Sequence, residues 1–405
     1  MKKIIPVILF CFPVLLQAQY KNDNVKYQTV YMDDLCASLK KNKDYILLDV
    51  RSKGEHDDTS SAVNLNIGHF KNAININVNE LGSRLSEIKT ATDKPVYVYC
   101  SHSQRSRVAS AMLADSGFTK VYNINGGLTT FNLIKETGIP CANSFYESGN
   151  KYKLLAPVDL LAMLKRNKNI FLLDLRKDSV FNSTSANEML NANGKLNNAV
   201  NIPLAKIESS LAGIPKDKTV VLIDDGGNDS PKAADILFRN GYTDINIAFN
   251  GMGAWNGTPA KELSDKNKFW STPAKYKLIT ADEFDELAKQ RGAAIIDIRT
   301  AEEYNNKATD TWRNRGNIKG AMSIPYSSLE SSINKLESYK NKPVYVYGFS
   351  TQLEAFKSSR LLSENGFTNV HVLIGGIWNL RWRAANIKGK ADLDKWVENV
   401  PAENL

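Results

Sequence analysis

Runs of four or five apolar residues recur along the chain, each followed by a polar break and then a stretch with helical apolar spacing. Ile46-Leu47-Leu48 and Pro95-Val96-Tyr97-Val98-Tyr99 are continuous apolar runs, as expected of strands buried on both faces. The second run leads into the polar stretch Ser101-His102-Ser103-Gln104-Arg105-Ser106. A helix follows in the pattern, with Val108, Ala109, Met112 and Leu113 predicted on one apolar face and Gly117 placed to end it. Strands alternating with helices predict a parallel sheet covered by helices, an α/β architecture.

This pattern is written three times. Ile46-Leu47-Leu48-Asp49-Val50-Arg51 returns as Phe171-Leu172-Leu173-Asp174-Leu175-Arg176 and as Ile295-Ile296-Asp297-Ile298-Arg299. Gly68-His69-Phe70-Lys71-Asn72-Ala73 returns at Gly194 and at Gly316, and each unit closes on Gly126-Gly127, Asn250-Gly251 or Gly375-Gly376. A repeat of this length is a duplicated globular domain, each copy large enough to close its own core. The expected units are 27–140, 152–262 and 276–385, followed by a tail at 386–405 whose segment around Trp396 is expected to dock as a helix on the last unit.

Met1-Lys2-Lys3, an apolar stretch from Ile4 to Leu16 and Gln17-Ala18-Gln19 have the layout of a secretory signal peptide, residues 1–18, cut after Ala18. Lipidation at Cys11 is disfavoured by the bulky Phe10 before it. The expected location is therefore outside the cytoplasm, the bacterial periplasm first and secretion as the alternative, with no membrane span in the mature chain. The formal charge is +9, with lysines and arginines interspersed among acids; this reads as a solvated surface, and no nucleic-acid partner is expected. Cys36, Cys100 and Cys141 follow the signal, an odd number that leaves at least one thiol free. Cys36 aligns without gaps with Leu161 and Phe284 and so reads as a core residue instead of a disulfide partner. Cys141 falls in a connector, where a structural role outweighs a second-thiol role or a pairing with Cys36. No cysteine–histidine spacing suggests a metal, and no cofactor is expected.

Cys100 carries the chemistry. A buried strand, a tight turn and a helix N-terminus form an anion cradle, because successive backbone N–H groups point into the turn and the helix dipole adds partial positive charge. A cysteine there is a candidate nucleophile. Arg105, in the first helical turn against the dipole, reads as an anion contact. Ser101, His102, Ser103, Gln104 and Ser106 complete the loop; His102 and His69 read as solvent-facing and structural respectively.

In the first unit Asp49-Val50-Arg51, Glu55-His56, Asn75-Ile76, the Cys100 loop and Gly126-Gly127 follow in order; that order of segments, which recurs in the other two units, resembles the rhodanese-like sulfurtransferase family across nearly all of the chain beyond the signal. The resemblance implies a five-stranded parallel sheet in each unit. It also implies a catalytic cysteine that takes sulfane sulfur as a persulfide, a loop whose N–H groups hold that sulfur, and a basic residue that holds an anionic donor such as thiosulfate. Cys100 matches the nucleophile and Arg105 the basic residue. Ser101 and Ser103 stand where the family often has a basic residue and a glycine. In the other units Asp224 and Asp229 stand at the matching positions, and Gly348-Phe349-Ser350-Thr351-Gln352 has neither cysteine nor base, so both are expected to be inactive.

Three functions compete: a sulfurtransferase acting on a small sulfur-containing anion, thiol or persulfide; a binding or scaffold module without turnover; and a phosphatase or arsenate reductase of related fold. The last class has five residues between cysteine and arginine where this chain has four, a cradle sized for sulfur. The acidic run from Asp224 to Asp229 lacks calcium-loop spacing. The first unit, from about Tyr20 to Tyr146, is expected to be sufficient for activity.

Overall fold

The computed structural model describes residues 26–89, 92–166, 169–289 and 292–401. The expected signal peptide and Cys11 lie outside the described residues. Three five-stranded parallel sheets follow one another along the chain. In the first, the spatial order is Gln28–Val30, Val121–Ile124, Val96–Tyr99, Ile46–Asp49 and Ile74–Asn75. The second and third sheets repeat that order, with Thr219–Ile223 and Val344–Tyr347 as their central strands. The α/β architecture expected from the pattern is therefore present in triplicate. All four residues of Val96–Tyr99 are buried, because helices cover both faces of the sheet.

The helix after the Cys100 loop, Gln104–Asp115, departs from the expected face. It buries Ser106, Ala109, Ser110 and Leu113, while Val108 is exposed. The i, i+3, i+4, i+7 set that meets the sheet is thus partly polar, and Val108 lies about 150° round the helix from its centre. Ser106 takes a core position because it has a partner there, described below. Phe131 and Trp255, at the same position after the closing glycines of the first and second units, are buried.

Each unit is tied internally by a buried aspartate–arginine pair. Arg51 clasps Asp49 with Nε and Nη2 and also donates to the Gly68 carbonyl at 2.8 Å. Arg176 does the same with Asp174 and Gly194, and Arg299 with Asp297 and Gly316. The pair joins the end of the strand next to the central one, Ile46–Asp49 in the first unit, to the turn that starts the next segment. His56 Nδ1 lies 2.9 Å from Asp49 and its ring packs on His69, which in turn meets Glu147, so His69 is structural as read.

The connectors fold back on the units they leave. Tyr146–Glu147 pairs antiparallel with His69–Phe70, Trp270–Ser271 with Lys195–Leu196, and Val397–Glu398 with Asn317–Ile318. The tail combines a short 3₁₀ helix, Ala391–Trp396, with the last of these strands; Leu393 is buried and Trp396 Nε1 donates to Asp285. The first strap also corrects the reading of Cys36: it is disulfide-bonded to Cys141, joining the opening helix Leu35–Lys41 to the start of the strap. Cys36 does pack on the core, and the gapless alignment hid its partner because the strap belongs to the unit. Among the described residues no helix is long and apolar enough to cross a membrane.

Burial alone would push the Asp49 carboxyl up; the His56 bond and Arg51 more than offset this and bring it from 3.8 down to about 2. A carboxyl lowered in the folded state stabilises fully above its unfolded value and less as pH falls through its folded one, here between about pH 4 and pH 2. Asp49→Ala strands a buried guanidinium and should cost about 3–5 kcal/mol in denaturant unfolding. The same variant should flatten the acid limb of the stability profile in that window; an unchanged profile would show that the pair is not what holds the first unit.

Candidate active site

Cys100 stands at the C-terminal end of the central strand, and its position is set from behind. Its carbonyl accepts from Leu128 N at 3.0 Å, and the Ser101 carbonyl accepts from Thr129 N at 3.0 Å. A Cβ on Gly127, which sits at φ +56°, would collide with the Cys100 carbonyl oxygen, so only glycine admits this approach. From there the loop turns through Ser103, a non-glycine residue at φ +82°. That turn aims Ser103 N at Cys100 Sγ, 3.1 Å away. The thiol also lies 3.7 Å from Ser106 Oγ, which bonds Asn123 Oδ1 at 2.7 Å. Cys100 is 1% exposed, so the sulfur lies at the floor of the cradle and not at its mouth.

Ser103 Oγ bonds Asn125 Oδ1 at 3.1 Å and accepts from Gly126 N, so the left-handed turn is fixed by its own side chain. Arg105 does not stand free. It forms a bidentate pair with Glu55, at 2.6 and 2.7 Å, and reaches Ser101 Oγ at 2.9 Å. Glu55 is buried and is the third residue of a capping box with Ser52, which fixes it opposite the loop. Burial raises the Glu55 carboxyl, but its bonds from Arg105 and Ser52 bring it below its usual value. The Glu55 bond raises Arg105 above its ordinary value, and a charge on Cys100 acts in the same direction. His102 bridges Ser101 Oγ and Thr129 Oγ1, at 2.9 and 3.0 Å. Partial desolvation and the Arg105 charge lower its imidazole, which favours the neutral ring. Gln104 opens the helix and is exposed. Cys100, Ser101, Ser103, Arg105 and Ser106 are therefore brought together, with His102 at the rim.

The other two units build the same cradle around different contents. Met252 N donates to the Asp224 carbonyl and Ile377 N to the Gly348 carbonyl, which places both residues where Cys100 stands. The Asp224 carboxylate turns inward and accepts from the N–H groups of Gly227, Asp229 and Ser230 at 2.6, 2.9 and 2.9 Å. In the third unit Gln352 Oε1 takes the Phe349 N–H at 2.8 Å. Among the described residues no group of acids, histidines and cysteines is placed to hold a metal ion.

The rhodanese-like domain profile matches residues 33–133, 156–258 and 280–381, most of the chain. The chain belongs to the rhodanese-like family. A Bacillus subtilis protein, YqhL, whose own function is uncharacterised, is 34% identical over 124 residues, covering 31% of this chain and 87% of that protein. The tRNA uridine(34) hydroxylase of Cytophaga hutchinsonii is 31% identical over 99 residues, and the match spans 24% of this chain and 29% of the enzyme. Among solved structures, the thiosulfate sulfurtransferase of Pseudomonas aeruginosa is similar at 16% identity and a TM-score of 0.22, over 85% of this chain and 66% of that one.

Reading the sequence of this rhodanese-like chain missed Glu55 as a site residue, although Ser52-Lys53-Gly54-Glu55 has capping-box spacing. It also missed Asn123 and Asn125. Their counterparts are Ile247 and Phe249 in the second domain and Val372 and Ile374 in the third, so polarity at both positions is confined to the copy with the cysteine.

Removing the carboxylate in Asp224→Ala would leave three loop N–H groups without their acceptor. The expected local cost is about 1–3 kcal/mol, read as faster amide hydrogen exchange over residues 225–230. Exchange at the wild-type rate would mean that the Asp224 carboxylate does not occupy the cradle.

Proposed function

We propose that the protein is an extracytoplasmic sulfurtransferase that moves sulfane sulfur from an anionic donor such as thiosulfate to a thiophilic acceptor through a persulfide on Cys100. The observation that carries this reading is the Ser103 N–H directed at Cys100 Sγ in the one cradle of the three that holds a cysteine. The Cys100 thiolate attacks the outer sulfur of thiosulfate, the sulfur–sulfur bond breaks, and sulfite leaves with the electron pair. An acceptor such as cyanide or a thiolate then takes the outer sulfur and returns the Cys100 thiolate, a ping-pong scheme. Loop N–H groups stabilise the negative sulfur as preorganised donors do.

Family membership supports sulfur chemistry of this type; the activities of individual relatives stay with those relatives. The proposed location rests on the signal-like leader and is supported by the Cys36–Cys141 bond, since disulfides persist in oxidising compartments. The second and third domains, with Asp224 and Gly348 at the cysteine position, are proposed to be inactive. A non-catalytic binding module is the second reading, favoured by the near-complete burial of Cys100 and by the engagement of Arg105 with Glu55. On the first reading a donor reaches the sulfur by moving the loop and displacing that pair.

Thiosulfate should add one sulfur atom, about 32 Da, to Cys100, and Cys100→Ser should abolish transfer to cyanide. Intact mass and peptide mapping decide this: an unmodified Cys100 leaves the binding-module reading. Arg105→Ala should weaken thiosulfate use by about 1.5–3 kcal/mol, and a neutral sulfane donor less. Glu55→Gln keeps the capping box but removes the competing charge, so its half-saturating thiosulfate concentration should fall. If that constant is the same as in wild type, Arg105 is not the group that meets the donor.

A further inference from the structure

The end of the third domain reaches the back of the Cys100 loop. Asn125 is buried and uses both ends of its amide: Nδ2 donates to the Asn386 carbonyl at 2.6 Å, while Oδ1 faces Ser103 Oγ at 3.1 Å and Arg107 Nη2 at 3.0 Å. Asn386 closes the helix Gly376–Asn386, and the last carbonyls of a helix have no partner inside it. Its own side chain bonds back to the Trp382 carbonyl, and Lys388, two residues on, pairs with Asp34 of the first domain at 2.8 Å.

We propose that the third domain is a working part of the Cys100 site, with Asn125 as a positioning residue whose amide is oriented by the Asn386 carbonyl. This rests on the reading of Cys100 as the sulfur acceptor. The argument is one of donors and acceptors. A carbonyl can only accept, so Asn386 fixes the NH₂ end of Asn125 toward itself and the oxygen toward Ser103. Ser103 Oγ accepts from Gly126 N, and its proton is therefore spent on Asn125 Oδ1. Turned the other way, the amide would present N–H to the Arg107 guanidinium and to a hydroxyl already accepting. The correct orientation locks Ser103 in a left-handed conformation that a serine does not favour, and in that conformation its N–H meets the sulfur. The counterparts of Asn125, Phe249 and Ile374, serve cradles without a cysteine and need no such prop. The arrangement runs against the expectation that the first domain is sufficient.

The test uses the full chain. Asn125→Ala should speed hydrogen exchange over residues 101–106 by about tenfold or more. Single-turnover sulfur loading should slow by about tenfold or more at saturating thiosulfate, with the half-saturating concentration little changed. Lys388→Glu sets like charges against each other at Asp34 and, at low ionic strength where such charges are poorly screened, should move exchange and loading in the same direction. Adding Asp34→Lys should restore both. If Asn125→Ala does not fold, the charge swap decides. Wild-type exchange in Asn125→Ala, or a double variant no better than Lys388→Glu, overturns the proposal. A wild type that takes no sulfur overturns the sulfurtransferase reading, and loop exchange then judges the prop alone.

Discussion

The carbonyl oxygen of Cys100 accepts from Leu128 N across a backbone approach so close that position 127 has no room for a side chain. The same contact is made between Asp224 and Met252 beside Gly251, and between Gly348 and Ile377 beside Gly376. It locks the start of each cradle to the helix behind the next strand, using main-chain atoms alone. The position of the residue at the head of the cradle is thus independent of which residue occupies it. That independence lets three copies of one fold keep the same geometry while only one carries a thiol.

A loop that presents several N–H groups to one point has to satisfy them when it is buried. The three units do so differently. In the first, one of them meets sulfur; in the second, three meet the Asp224 carboxylate; in the third, Gln352 folds in to take one. The second cradle is therefore filled from within by its own carboxylate, which is a different condition from a cradle that has merely lost its cysteine. A carboxylate already seated in the cradle excludes an external anion by charge as well as by volume.

The apolar runs, the threefold repeat and the turn glycines made the sheets, the cradles and Cys100 legible in the sequence. What was not legible depended on contacts between distant segments. The Cys36–Cys141 bond spans 105 residues and hinges on a connector that looks like a polar joint until its strand pairs back on His69–Phe70. Apolar spacing alone puts Val108 on the buried face, whereas Ser106 and Ser110 occupy it and Ser106 finds Asn123 as a partner. Glu55 was in view as part of a motif, but nothing local says that it reaches Arg105 fifty residues on. Asn125 was the most recoverable: setting the three copies side by side shows an asparagine where the others have Phe249 and Ile374.

The Glu55–Arg105 pair bears on which donors the site would accept. Arg105 is held by a buried carboxylate through two bonds, and charge-assisted pairs of this kind are among the stronger hydrogen bonds in proteins. On the sulfurtransferase reading, an anionic donor exchanges one negative partner of Arg105 for another, so the guanidinium stays paired while the loop opens. A neutral donor offers no such exchange: displacing the pair would leave both Arg105 and the buried Glu55 without a counter-charge, where an anionic donor leaves only Glu55 so. Separating that buried pair costs more than redirecting it. Selectivity for anionic donors then arises from Glu55 as much as from Arg105, because the carboxylate sets the charge an incoming group must replace.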